Sequence, residues 1–208
     1  MAKRLHKKGE RKKPTKKFYE ERFKKIPEGM QFGDFIFSRK TLEWRCAYSA
    51  KSKARSNLPK HIFVSDHGDV ISVYGKDSSL LERSYNRDYA KIGGGHKNDY
   101  GIGKPLFIHI LVALCFDSSI TPAAKVLLEL EGFNAFGKGT DQDHIKVHHK
   151  DENPRNNTPD NLVIMTCWEH SMLHKWKNAV KKWNNAFWDM KPKKLPKKKQ
   201  SEYAEMFR

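Results

Sequence analysis

The chain has 208 residues, 41 lysines and arginines against 24 aspartates and glutamates, and a formal charge of +17, a balance that attracts polyanions, nucleic acid foremost. No apolar run approaches the roughly 20 residues that cross a bilayer, and the basic start of the chain lacks the apolar stretch of a secretory signal, so a cytoplasmic protein with no membrane partner is expected. The three widely spaced cysteines, Cys46, Cys115 and Cys167, form no Cys-x-x-Cys pair, which excludes both a disulfide framework and a thiolate zinc ribbon.

Lys7, Lys8, Arg11, Lys12, Lys13, Lys16 and Lys17 open the chain as one basic cluster, and Lys191, Lys193, Lys194, Lys197, Lys198 and Lys199 nearly close it as another. Both contain proline and few apolar residues, so residues 1–28 and 189–208 are read as disordered basic arms. Such arms add salt-sensitive contacts to the phosphates of DNA, or of RNA. Gln31 to Phe37 alternates as a strand does, and His61 to Tyr74 reads as two strands around a tight turn at Asp66 to Gly68. Gly93 to Gly101 is a glycine-rich loop, Pro105 to Ile108 a short strand and His109 to Phe116 an apolar helix. Thr121 can cap a helix that takes Pro122 in its first turn, continues through Ala123 to Glu131 and stops at Gly132. Gly137 to Gln142 is again a polar loop.

The chemistry begins beyond it. Ile145 to His149 reads as a strand, Lys150 to Asp160 as an Asn-, Asp- and Pro-rich loop, and Leu162 to Met165 as a second strand. Thr166 and Glu169 then suit the start of a helix running towards Trp183. His170 and His174 are four apart and share one helix face, whereas the adjacent strand residues His148 and His149 point to opposite sides. One of the latter can therefore complete a metal site with His170 and His174 while the other faces a substrate. Phosphodiester hydrolysis needs both: a divalent cation to neutralise the phosphoryl and leaving oxygens, and a base near neutrality to activate water.

The stretch His148-His149-Lys150-Asp151-Glu152-Asn153, with Asn156-Asn157, Asn161-Leu162 and His170, resembles the HNH endonucleases of the ββα-metal fold, particularly the phage and intron-borne homing type. The resemblance implies that His149 is the general base, that His148 and His170 are metal ligands, and that Asn161 ties the loop and orients the base. His174 matches an additional metal histidine of some branches. Glu152 stands where the family carries glycine. Val64 to Ser72 and Ile108 to Phe116 are similar to a small domain that often precedes this nuclease, and His109 within them is assigned to packing or a backbone hydrogen bond.

The expected architecture is α+β: a β-rich DNA-binding region over 29–118, then the nuclease module over 119–188. Arg155, Lys150, Lys175, Lys177, Lys181 and Lys182 are the candidate phosphate contacts, while Trp176 and Trp183 are assigned to the core. Oxygen-ligand sites of this type take Mg²⁺ or Mn²⁺, whereas two or three imidazoles favour Zn²⁺, Ni²⁺ or Mn²⁺, so the metal stays open. The alternative is a non-cleaving nucleic-acid-binding protein built on the same scaffold, such as a ribonucleoprotein component. Target site, nicking or double-strand cleavage and oligomeric state are not read from the sequence.

Overall fold

A computed structural model describes residues 14–74, 78–86, 88–93, 105–136 and 144–189, with side chains as far as residue 183. Most of the N-terminal basic cluster, the loop from Gly94, the polar loop 137–142 and the C-terminal cluster lie outside the described residues. The chain divides into two compact units, residues 1–167 and 168–208.

The first unit opens with α1 (Lys16–Lys24), whose N-cap Thr15 accepts from the Phe18 amide. This corrects the reading of residues 1–28 as an arm. Tyr19, Phe23 and Ile26 are buried, and Phe23 stacks on Phe63 with ring centroids 4.0 Å apart. Arg39 donates from Nη2 to the carbonyls of Phe23 and Ile26, both at 2.8 Å, satisfying orphan groups at the end of the helix. The lysines of α1 mask an aromatic stripe that has a surface to cover.

Gln31 to Phe37 is a hairpin, β1 (Gln31–Phe32) paired antiparallel with β2 (Phe35–Ile36), not one strand. Gly33 turns the chain with φ +61°. Next, β3 (Trp44–Cys46), β4 (Ile62–Ser65), β5 (Val70–Ser72) and β6 (Ser79–Leu80) form an antiparallel sheet in that order. Every residue of β4 and β5 is buried, because the sheet is covered on both faces. Phe63 and Ile71 join Phe23 and Phe37 on one side, while Ile62, Val64 and Val70 join a larger core on the other.

Then β7 (Ser84–Asn86), β8 (Tyr89–Ile92) and β9 (Leu106–Phe107) make a small antiparallel sheet. The apolar helix α2 (Ile108–Cys115) follows without a break, buried along almost its whole length. Its C-terminal end is tied back to β3: Arg45 Nη1 donates to the Cys115 carbonyl at 2.8 Å and pairs with Asp117 at 3.1 Å.

β10 (Ser119–Ile120) leads to α3 (Pro122–Glu131), where Thr121 accepts from the Ala124 amide and Gly132 ends the helix, as its punctuation predicts. Finally β11 (Ile145–His149) and β12 (Leu162–Thr166) pair antiparallel, with β10 alongside β12 in parallel. Leu111 and Val112 of α2, Ile62 and Val64 of β4, Val147 of β11 and Leu162 and Ile164 of β12 belong to one core. That core runs across the 118/119 boundary drawn from the sequence, so the strands that carry the histidines are built on the region before them.

The helix α4 (Cys167–Asp189) begins immediately after Thr166, where the sequence places a helix start, and from Trp168 onward it is the described part of the second unit. No described helix is long and apolar enough to cross a membrane.

Candidate functional site

The paired strands β11 and β12 set the register His148↔Val163 and His149↔Leu162. Both histidines are buried, and the strand pleat sends their rings to opposite sides. Nε2 of His149 lies 3.1 Å from Oδ1 of Asn157, a side chain only 3% exposed. The amide nitrogen of Asn157 is turned to the Arg155 carbonyl at 3.4 Å, so its oxygen is the end presented to His149. An oxygen acceptor there requires Nε2 to carry the hydrogen, which leaves the lone pair on Nδ1.

Three aromatic rings from other elements surround this histidine or its neighbour. His109 of α2 has its ring centroid 5.4 Å from that of His149, and Tyr89 of β8 is 6.0 Å from His149 and 5.2 Å from His109. Phe107 closes on His109 at 5.6 Å. Burial, and then the proximity of His149, push the His109 pKa down to about 3, so this imidazole is neutral. Its Nδ1 finds no hydrogen-bond partner, in keeping with packing and not with the backbone hydrogen bond also considered.

The loop between the strands is held by its own polar side chains. Asn161 accepts from the Asp151 amide at 3.1 Å through Oδ1 and donates through Nδ2 to the Asp151 carboxylate at 2.9 Å and the Asn156 carbonyl at 2.8 Å. Asp151 also accepts from the Asn156 side chain and the Asn153 amide. These donors, Asn156 foremost, then Asn153 and Asn161, hold its carboxyl below the ordinary range. Glu152 takes the left-handed conformation, φ +61°, that its glycine counterpart adopts without cost. Lys150 donates its ammonium to the Asp160 carbonyl at 2.6 Å, so this residue, expected to reach a phosphate, closes the loop. Arg155 is exposed.

Asn161 ties the loop, while Asn157 is the residue bonded to His149. Asn157 was legible only as the second half of the Asn-Asn pair; which of several loop asparagines reaches a strand eight residues back is decided by the path of the loop.

On α4, His170 and His174 turn their rings to one another, centroids 4.5 Å apart and nearly perpendicular, with Nε2 to Nε2 at 3.3 Å. Two nitrogens each about 2.05 Å from one tetrahedral ion stand about 3.3 Å apart, so this pair suits chelation as well as a shared proton. Lys175, Lys181 and Lys182 are exposed and Lys177 is half-buried. Trp176 and Trp183 are 64% and 68% exposed, which overturns their assignment to the core. Their stripe matches helical spacing, yet spacing alone does not say whether a face is covered.

Residues 134–172, which span the paired strands, the loop between them and the start of α4, match the family model for HNH endonuclease. Among solved structures, the chain is similar to that described as DNA binding and cleavage by the HNH homing endonuclease I-HmuI, at 22% identity and a TM-score of 0.41 over 78% of this chain and 66% of that one. The comparison with curated proteins gives no match.

Proposed function

We propose that the chain is a metal-dependent DNA endonuclease of the HNH, homing-like type that hydrolyses phosphodiester bonds with His149 as general base. His148, His170 and His174 are the ligands we assign, a histidine group of the kind that holds a metal ion. The 3.3 Å spacing of the α4 pair supports this donor set, and three imidazoles favour Zn²⁺, Ni²⁺ or Mn²⁺ over Mg²⁺. When bound, the ion supplies positive charge to the phosphoryl oxygen and the departing 3′ oxygen.

The chain's own groups do the rest. His149 Nδ1 takes a proton from water while Asn157 keeps Nε2–H in place, so the imidazolium that forms has both protons accommodated. The hydroxide attacks phosphorus in line, leaving a 5′ phosphate and a 3′ hydroxyl. Asn161 and Asp151 keep the loop from shifting His149 out of line. Arg155, Lys175, Lys181 and Lys182 hold neighbouring phosphates, and Lys177 lies on the same helix. The basic clusters at both ends of the sequence add affinity for nucleic acid.

The observation that carries this reading is the convergence of His170 and His174, one turn into the helix that directly follows the strands bearing His148 and His149. The test is cleavage of supercoiled plasmid and of phage and host DNA with Mg²⁺, Mn²⁺, Ni²⁺ or Zn²⁺, comparing wild type with His149→Ala. Metal-dependent cutting that the substitution abolishes is the expected result. A wild type that binds DNA and cuts none of these substrates with any metal makes the chain a non-cleaving nucleic-acid-binding protein.

A further inference from the structure

Residues from outside the family-matched segment pack against His149 and its partner Asn157. Asn157, the partner of His149 Nε2, is backed by the tight turn between β4 and β5, more than eighty residues earlier in the chain. Gly68 sits in that turn at φ +82°, and a Cβ built on it would lie 3.4 Å from Asn157 Cβ and 2.7 Å from Ile108 Cγ2. Only a glycine lets the turn's backbone come this close. Ile108 begins α2, and the next residue is His109, whose ring packs on His149 together with Tyr89 of β8. Three elements outside the family-matched segment thus close around Asn157 and His149.

We propose that Asn157 is a positioning residue for the base, and that the Gly68 turn is the backstop that holds it there. On this account the region before the HNH segment is half of the catalytic apparatus and not an appended DNA-binding domain. The inference rests on the assignment of His149 as base, and it deepens that assignment by naming what sets the ring's tautomer. A neutral imidazole without a fixed acceptor divides between two tautomers, and only the one protonated at Nε2 offers Nδ1 to water. The mechanism is the one by which a buried carboxylate orients the histidine of a serine hydrolase, with a neutral amide in its place.

Two measurements decide it. The first needs no activity: long-range ¹H–¹⁵N spectra of histidine-labelled protein at about pH 8, with His149→Ala supplying the assignment. Wild type should show His149 as a single Nε2–H tautomer, Asn157→Asp should keep it, and Asn157→Leu should show a mixture. Identical tautomer populations in wild type and Asn157→Leu overturn the proposal, whether or not the protein cuts DNA. The second is steady-state cleavage. Asn157→Leu should lower kcat about 10- to 100-fold with KM unchanged, and Asn157→Asp, which retains an oxygen acceptor, should restore most of it. Gly68→Ala should lower kcat about tenfold. Gly33→Ala, at φ +61° with nothing within 4 Å of the added carbon, should leave kcat as it is. Equal effects of the two glycine substitutions would remove the turn from the proposal. A wild type that cuts nothing would remove His149 as base, while the spectra would still decide what orients its ring.

Discussion

Asn157 Oδ1 and His149 Nε2 are 3.1 Å apart, and both side chains are almost out of solvent. A hydrogen bond in such surroundings is worth about 1 kcal/mol net, but an orphaned partner costs about 1–3 kcal/mol, so the pairing is strongly directional. With Asn157 Oδ1 as acceptor, the pairing favours the neutral tautomer of His149 that carries its hydrogen on Nε2.

Metal affinity is expected to depend on α4. His170→Ala or His174→Ala should weaken binding of Zn²⁺ or Ni²⁺ at least tenfold by calorimetry, because each removes one of two nitrogens held 3.3 Å apart. Lys175→Ala, one residue beyond the pair, should leave metal affinity unchanged while lowering the salt dependence of DNA binding by about one phosphate contact. Full affinity in both histidine variants would exclude the pair as ligands.

His109 should leave a signature in stability against pH. Its folded-state pKa of about 3 lies below the ordinary 6.5, so between those values the unfolded chain binds more protons than the folded one. Stability attributable to this group is therefore constant above pH 6.5 and falls as the pH drops below it, by about 3 kcal/mol on reaching about pH 4. His109→Phe, which keeps a buried ring without a titrating nitrogen, should flatten that part of the curve. Urea unfolding across the window checks it, and an unchanged slope would refute it.

The helix α1 is expected to be structural. Phe23→Ala removes a ring stacked on Phe63 and contacted by the Arg39 guanidinium, and should cost about 3–5 kcal/mol. Phe18→Ala, at a side chain 45% exposed, should cost well under 1 kcal/mol by the same urea titration. Similar costs for the two would mean that α1 is not anchored through Phe23.

Glu152→Gly should stabilise the chain by about 0.5–1 kcal/mol. The left-handed φ of +61° costs a side-chain-bearing residue about 1–2 kcal/mol, part of which glycine gives back as entropy in the unfolded state. Thermal unfolding reads the gain, and a lower Tm would show that the glutamate side chain contributes more than the conformation costs.

Much of the nuclease segment was legible in the residue order, because its signals are local. The short strand Ile145–His149, the Asn- and Pro-rich loop, and the helix start after Thr166 each concern neighbours within a few residues, and all three elements formed where expected. The four-residue spacing of His170 and His174 likewise became a 3.3 Å approach, because a helix brings every fourth side chain to one face. Thr121, Pro122 and Gly132 punctuated α3 for the same reason.

What the sequence could not supply were the relations across long separations. The lysines of α1 hid Tyr19 and Phe23, since a basic run and a packed amphipathic helix differ only in whether a sheet lies beneath them. The short strands β3, β6, β7, β8 and β10 carry two to four residues each, too few to show a period, and exist because neighbours complete their hydrogen bonds. The identity of the asparagine that meets His149 was of this kind too. By itself the sequence determined which chemical groups are present and how each local element presents them. The tertiary structure alone decided that Gly68, Ile108 and Asn157 share one point in space, because that contact joins segments whose separation along the chain carries no local signal.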